Sequence, residues 1–451
     1  MTGIVLASLR RRRTAFVASF LSVFLGTSIV MAFAAMLDTS FGDGVSGADR
    51  NTLGIVAAVV GGWGAIIVGS AVATTVAVAA RQRAGELALL RSAGATPRQV
   101  TRLIMGETAA VAAAGALLAV PVGFGLGRGL LAMLSASDQV SSSVDYHFGA
   151  AALGIGLGVG FVVALLATRI AAKRAAGRTI REALFEADAG GRRIGRVRFW
   201  AGLVCLGIAA QNVVMSLTMV DGKKVYDVQM IASEACIFAG IGFALLAPVL
   251  LERAIDLLAG VVGRLGGTPG ELAVAGIRQR LQQAATPLMP IIVVTSIAIG
   301  TLYMQAVTNG LHAKSNDKVT ETLNYVIVGM IVVFAAVMLV NLVVTTVHAR
   351  RSEFAQQRLV GATSRQLLAM IGAESGVLLV VGLFFGTVGG LLTVVPFTLK
   401  TTHSVVPDAS IGIYLGIVLG VAALTAGAMV MAGRRATAGD AVAVLREGAS
   451  A

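Results

Sequence analysis

The sequence predicts an all-α polytopic membrane protein with ten transmembrane helices. These form two parallel four-helix repeats joined by two connecting helices, with both termini cytoplasmic. Three observations lead there: a lipid-like composition, ten apolar stretches of spanning length, and one internal repeat. The 451 residues are 56% hydrophobic and only 13% charged, and the mean hydropathy is +0.85. A soluble domain carries roughly a quarter of its residues as charges. Lipid can act as solvent for this much apolar surface where water cannot.

The apolar stretches run over 14–37, 53–80, 103–131, 150–170, 199–220, 228–251, 287–305, 325–347, 368–395 and 411–431. A helix of about 20 residues crosses the roughly 30 Å hydrocarbon layer. The first follows Arg10–Arg13 but is too long for a cleaved leader and lacks a cleavage site, so it reads as a retained helix. The seventh is the weakest: Pro287 and Pro290 open it, and Thr286, Thr295 and Ser296 interrupt it. Proline is tolerated in a first helical turn, where its missing N–H would have no partner.

Charge placement orients the chain. With the N-terminus inside, 28 of the 36 Lys and Arg residues fall on cytoplasmic segments, Arg128 and Arg169 fall within apolar stretches, and Arg50, Lys223, Lys224, Lys314, Lys318 and Lys400 fall outside. Acidic residues show no such split. This is the positive-inside pattern. It accounts for the net charge of +13 through anionic lipid rather than nucleic acid. External segments are short. The longest cytoplasmic ones are 171–198 and 252–286; the second has a loop at Gly266–Gly270 and a short helix, Glu271–Gln283, expected on the membrane face.

The repeat has an offset of 267 residues. Arg83, Glu86, Arg91, Gly94, Ala95, Thr96, Arg98 and Gln99 recur as Arg350, Glu353, Arg358, Gly361, Ala362, Thr363, Arg365 and Gln366. Glu107 recurs as Glu374, Gly123 as Gly390, and Arg11 and Arg13 as Arg278 and Arg280. Residues 1–170 and 277–451 therefore form the two repeats, with 171–276 connecting them. An even number of helices between the copies gives both the same orientation. Within each copy, Gly94 or Gly361 can end a short helix. Thr96 or Thr363 can cap the next, and Pro97 suits its first position. The expected product is a cytoplasmic elbow: a broken helix near the membrane plane that leads into a long span.

Intramembrane polar residues form a second candidate set. Glu107 and Glu374 are expected about one turn into their spans, in gating or structural contact with elbow arginines. Glu234 lies deeper, with Gln211 and Asn212 as its expected partners around a polar cavity. Cys205 and Cys236 read as small buried hydrophobes. His147, His312, His348 and His403 are scattered, and there is no Walker A, His-Glu-x-x-His or Gly-x-Ser-x-Gly pattern. No metal site and no catalytic site is expected.

Residues Glu86 to Thr96, with the divergent second copy Glu353 to Thr363, resemble the FtsX-like permease family, also found in MacB-like and LolCDE-like ABC systems. The resemblance implies a ten-helix single-chain permease in the plasma or inner membrane. It implies two cytoplasmic ABC ATPase subunits as partners, with ATP and Mg bound by them and no cofactor bound by this chain. It places coupling on Glu86, Arg91, Gly94, Thr96 and Arg98 and on Glu353, Arg358, Gly361, Thr363 and Arg365. Membrane lipid and an additional envelope protein complete the implied partners; nucleic acid is not among them. The large external domain of many members is missing here, since 38–52 and 306–324 are short loops. That points toward extrusion of an amphipathic molecule. The residues leave two alternatives open: ATP-driven signalling without solute movement, and proton-driven secondary transport.

Overall fold

The computed structural model describes residues 13–62, 65, 94–136, 140–177, 194–218, 225–312 and 351–437. Their elements fall into two compact units. The first holds α1 (Arg13–Ser40), α2 (Gly47–Ile55) with a π-helical turn at Val56–Val60, α3 (Pro97–Ala136) and α4 (Ala150–Gly177). The second holds α5 (Arg196–Thr218), α6 (Val225–Gln279), α7 (Leu281–His312), α8 (Arg351–Leu359), α9 (Ser364–Thr401) and α10 (Ile411–Thr437).

Among the described residues, seven helices are long and apolar enough to cross a membrane: α1, α3, α5, α6, α7, α9 and α10. The apolar part of α4 is shorter, Ala150–Leu166. Of the expected second span only residues 53–62 and 65 are described, and the expected eighth span, 325–347, lies wholly outside the described residues.

In the first unit α1 packs on α3 and α4, and α3 on α4. Asp38, near the C-terminal end of α1, ties α4 down. Its carboxylate accepts from the backbone N–H groups of Gly149 (2.8 Å), Ala151 (3.0 Å) and Ala152 (2.7 Å). An anion there satisfies the unpaired donors of a helix start and its positive dipole end. Asp49 of α2 pins the same loop, accepting from Ser141 N–H at 3.1 Å. The Ser46 hydroxyl and the Ser141 bonds hold its carboxyl below the usual range, against the opposing effect of burial.

In the second unit α7 and α9 form the central pair, α6 lies on both, and α5 packs on α6. The prolines of α7 do not stand in its first turn, because the helix already starts at Leu281. They lie inside it, and α7 keeps its helical course through both. Their neighbours Leu288, Ile291 and Ile292 are fully buried, so packing holds that stretch.

Pro248 interrupts α6, leaving the carbonyl of Ala244 without its helical donor. The guanidinium of Arg198 in α5 fills the gap, donating to Leu245 O at 2.9 Å and Ala244 O at 3.5 Å. Beyond the membrane-length stretch α6 continues to a break at Gly267 (φ 53°, ψ −146°). There the chain turns back on itself. The segment Glu271–Gln283 packs against the preceding arm: Ala273, Val274 and Ile277 share a core with Leu251 and Ile255. Arg278 pairs with Asp256 at 3.0 Å. The result is a helical hairpin.

The two units repeat their inner contacts. A Cβ on Gly123 of α3 would lie 2.8 Å from the Met31 Cβ and 3.2 Å from Ser28 O of α1. One on Gly390 of α9 would lie 2.7 Å from the Ile299 Cβ and 3.2 Å from Ser296 O of α7. Gly115 and Gly382 meet Val23 and Ile291 in the same way. These pairs put α3 and α9 at the expected offset of 267 but α1 and α7 at 268. The pairing of Arg11 and Arg13 with Arg278 and Arg280 is therefore one residue out of register. Arg10 and Arg12 occupy the matching positions in the sequence, and a run of four arginines satisfies either offset.

Candidate functional site

The duplicated elbow is best seen in its second copy. Helix α8 ends in a Schellman motif: Gly361 N–H donates to Arg358 O (3.1 Å) and Ala362 N–H to Gln357 O (3.0 Å). Closing that turn requires a left-handed residue, and Gly361 has φ 106°. A side chain is disfavoured there, so glycine suits the position. Thr363 then caps α9. Its hydroxyl accepts from Gln366 N–H (3.3 Å), while Thr363 N–H donates to Gln366 Oε1 (2.9 Å). That reciprocal pair is a capping box.

The first copy has the same construction from Gly94 onward. Gly94 has φ 94°. Thr96 N–H donates to Gln99 Oε1 (2.9 Å), and the Thr96 hydroxyl accepts from Gln99 N–H (3.3 Å). Behind the cap, Val100 and Ile104 are buried with Ala95 against them. The sequence reading misses the role of Gln99 and Gln366, although Thr-x-x-Gln before an apolar run is the capping-box signature.

The elbow differs from expectation in one respect. The helix after each cap is not a separate piece near the membrane plane. It runs without interruption into the span, for 40 residues in α3 and 38 in α9, or about 60 Å and 57 Å. A motion of the elbow therefore enters the bilayer with no joint in between.

Of the residues expected to couple, Gly94, Thr96, Arg98, Gly361, Thr363 and Arg365 are exposed, and Arg358 is half-buried with a partner. Glu353 is the third residue of α8. Glu86 and Arg91 lie outside the described residues. The tip of the second elbow is apolar: Val360 is 91% exposed, and Leu359 beside it is exposed too.

Glu107 and Glu374 hold matching places, ten residues beyond Pro97 and Ser364 respectively, about 15 Å along each helix. They are 3% and 6% exposed, and neither lacks a partner. The helices that carry them begin at the caps, before the apolar stretches that start at 103 and 368. Glu234 is half-buried on α6, Asn212 is buried on α5, and Gln211 is exposed. Helices α5 and α6 pack together, but among the described residues no hydrogen bond joins Glu234 to Gln211 or Asn212. Among the described residues no group of three His, Cys, Asp or Glu side chains is placed to hold a metal ion.

Comparison with known families gives one match. Residues 58–180 and 325–438 match the family described as FtsX-like permease C-terminal. The two stretches cover just over half of the chain, and each contains one elbow. They begin 267 residues apart, the offset found in the elbows themselves. No curated protein matches the sequence.

Proposed function

Because this chain belongs to the FtsX-like permease family, we propose that it is the transmembrane subunit of an ABC-type transport system. It couples hydrolysis by a separate cytoplasmic ATPase to extrusion of an amphipathic substrate. Permeases of this family generally partner with ABC ATPases. On this reading the chain has ten spans in two parallel repeats, and each elbow receives one of two ATPase subunits.

One observation carries the proposal. Two sites 267 residues apart use the same left-handed glycine and the same capping box, and each begins a helix about twice as long as the hydrocarbon layer is thick. A plain connecting loop needs neither the repetition nor the rigid continuation. The exposed arginines Arg98 and Arg365, together with the apolar tip at Val360, supply a surface for an acidic, partly apolar groove on the ATPase.

The test is purification with endogenous partners in lipid nanodiscs. An ABC ATPase should co-purify, and R98E with R365E should release it while the permease stays folded. Retention of the ATPase by that double variant would remove the elbows as its docking site. Reconstituted vesicles then distinguish extrusion from signalling: transport predicts ATP-dependent movement of an amphipathic dye, and signalling predicts hydrolysis without it.

A further inference from the structure

The α6 hairpin carries an apolar surface that the membrane cannot cover. From Val225 to the break at Gly267 the first arm has 42 residues, or about 63 Å. Hydrocarbon and headgroups together span only about 40–45 Å. Glu252, Arg253 and Asp256 are the first cluster of charges on this helix, so the length in excess of the bilayer is assigned to the side beyond them. Beyond them the arm stands in water, braced by the return arm through Ile255, Ala273 and Ile277. Yet Leu257 is 82% exposed and Val261 52% exposed. They are one turn apart, so they share a face, and the exposed Arg253 and Arg264 continue that face at either end. Leu272, 55% exposed, sits at the same level of the hairpin on the return arm. Exposed leucine and valine on a braced arm in water mark a docking surface.

We propose that the face Arg253–Leu257–Val261–Arg264 is a second docking surface for an ATPase subunit, beyond the elbow. It rests on the permease reading given above. Three features select this occupant. The arm projects on the side where the Lys and Arg residues accumulate, so its partner is cytoplasmic. Arginines at both ends of an apolar centre fit an apolar patch with an acidic rim. The core that braces the hairpin is continuous with the one beneath the second elbow: Leu251, Ile255 and Ile277 belong to one cluster with Phe354 of α8 and Leu367 and Met370 of α9. A body seated on that elbow is thus anchored to the same packed base as the hairpin. The connecting helices occur once in the chain, so the surface serves only one of two ATPase subunits.

The test uses the full-length permease with its co-purified ATPase in nanodiscs. A photo-crosslinking residue replaces Leu257, and a control replaces Leu203 on α5. Crosslinks to the ATPase from position 257 and none from 203 are expected. L257D with V261D should weaken ATPase binding about tenfold, the equivalent of about 1.4 kcal/mol; L257S serves if the double variant is not recovered. Crosslinks to lipid alone, or to nothing, with unchanged ATPase affinity would overturn the hairpin surface and leave the permease reading standing. Failure of the unmodified protein to retain any ATPase would overturn both.

Discussion

The inner faces of α3 and α9 are alike, and their outer faces are not. Toward α1 and α7 both helices present glycine, at Gly115 and Gly123 and at Gly382 and Gly390, with close approaches at each. On the neighbouring face the copies diverge. Helix α9 has Gly389 and Thr393, where α3 has Val122 and Leu126. In the second unit that face meets both α7 and α6: a Cβ on Gly389 would lie 2.5 Å from the Ser296 hydroxyl of α7 and 3.7 Å from the Ala239 Cβ of α6, and Thr393 donates to Ala232 O of α6 at 2.8 Å. In the first unit Val122 and Leu126 are exposed. Glycine recurs in both copies where they meet α1 and α7, whereas Gly389 and Thr393 of α9 have no small counterpart in α3. Without a hydrophobic drive between helices in lipid, close contact depends on such small residues.

Writing the first copy into the second should have the largest effect. G389V with T393L should cost about 1–3 kcal/mol by overpacking the contacts with α7 and α6. The reverse exchange, V122G with L126T, should cost less, and thermal unfolding in detergent compares them. Equal losses would mean that α6 does not explain the difference. The Arg198 clamp is specific to the connecting helices. R198L should cost about 1–3 kcal/mol by leaving a buried carbonyl unpaired, and P248A, which restores the helical donor, should recover most of it in a double-mutant cycle. The caps, in contrast, should behave identically. T96A and T363A should each cost about 1 kcal/mol, seen as matching losses of hydrogen-exchange protection at Gln99 and Gln366.

The smallest effect concerns the loop held by Asp49 in the first unit. Its folded carboxyl titrates below the ordinary range. The stabilisation is therefore complete above the unfolded value and is lost as pH falls through the lower folded one. Exchange at the Ser141 amide should quicken only under that acidic condition.

Local chemistry is legible in the sequence, and contacts between distant segments are not. Gly94, Thr96 and Pro97 announce a helix end and a helix start within four residues; the structure has the start at Pro97 and the left-handed Gly94 before it, and the helix expected to end there lies outside the described residues. Gly266–Gly270 announces a turn in the same way, but not that Ala273, Val274 and Ile277 fold back on Leu251 and Ile255. Arg198 stands in the sequence only as the last residue of the cytoplasmic segment 171–198; its use depends on Pro248, fifty residues away, and only packing brings the two together. Glu107 and Glu374 are recognisable as a repeated pair, but hydropathy detects the apolar part of each helix and not its polar beginning at the cap.

The continuous helical course of α9 from its cap through Pro396 has a mechanical consequence. At its far end Lys400 donates to Leu217 O at 2.8 Å, gripping the last turn of α5. A rod of about 57 Å pivoting by about five degrees carries its tip about 5 Å. A small rocking at the cap would thus become a stroke as large as a helix turn at the opposite face, with α5 in tow.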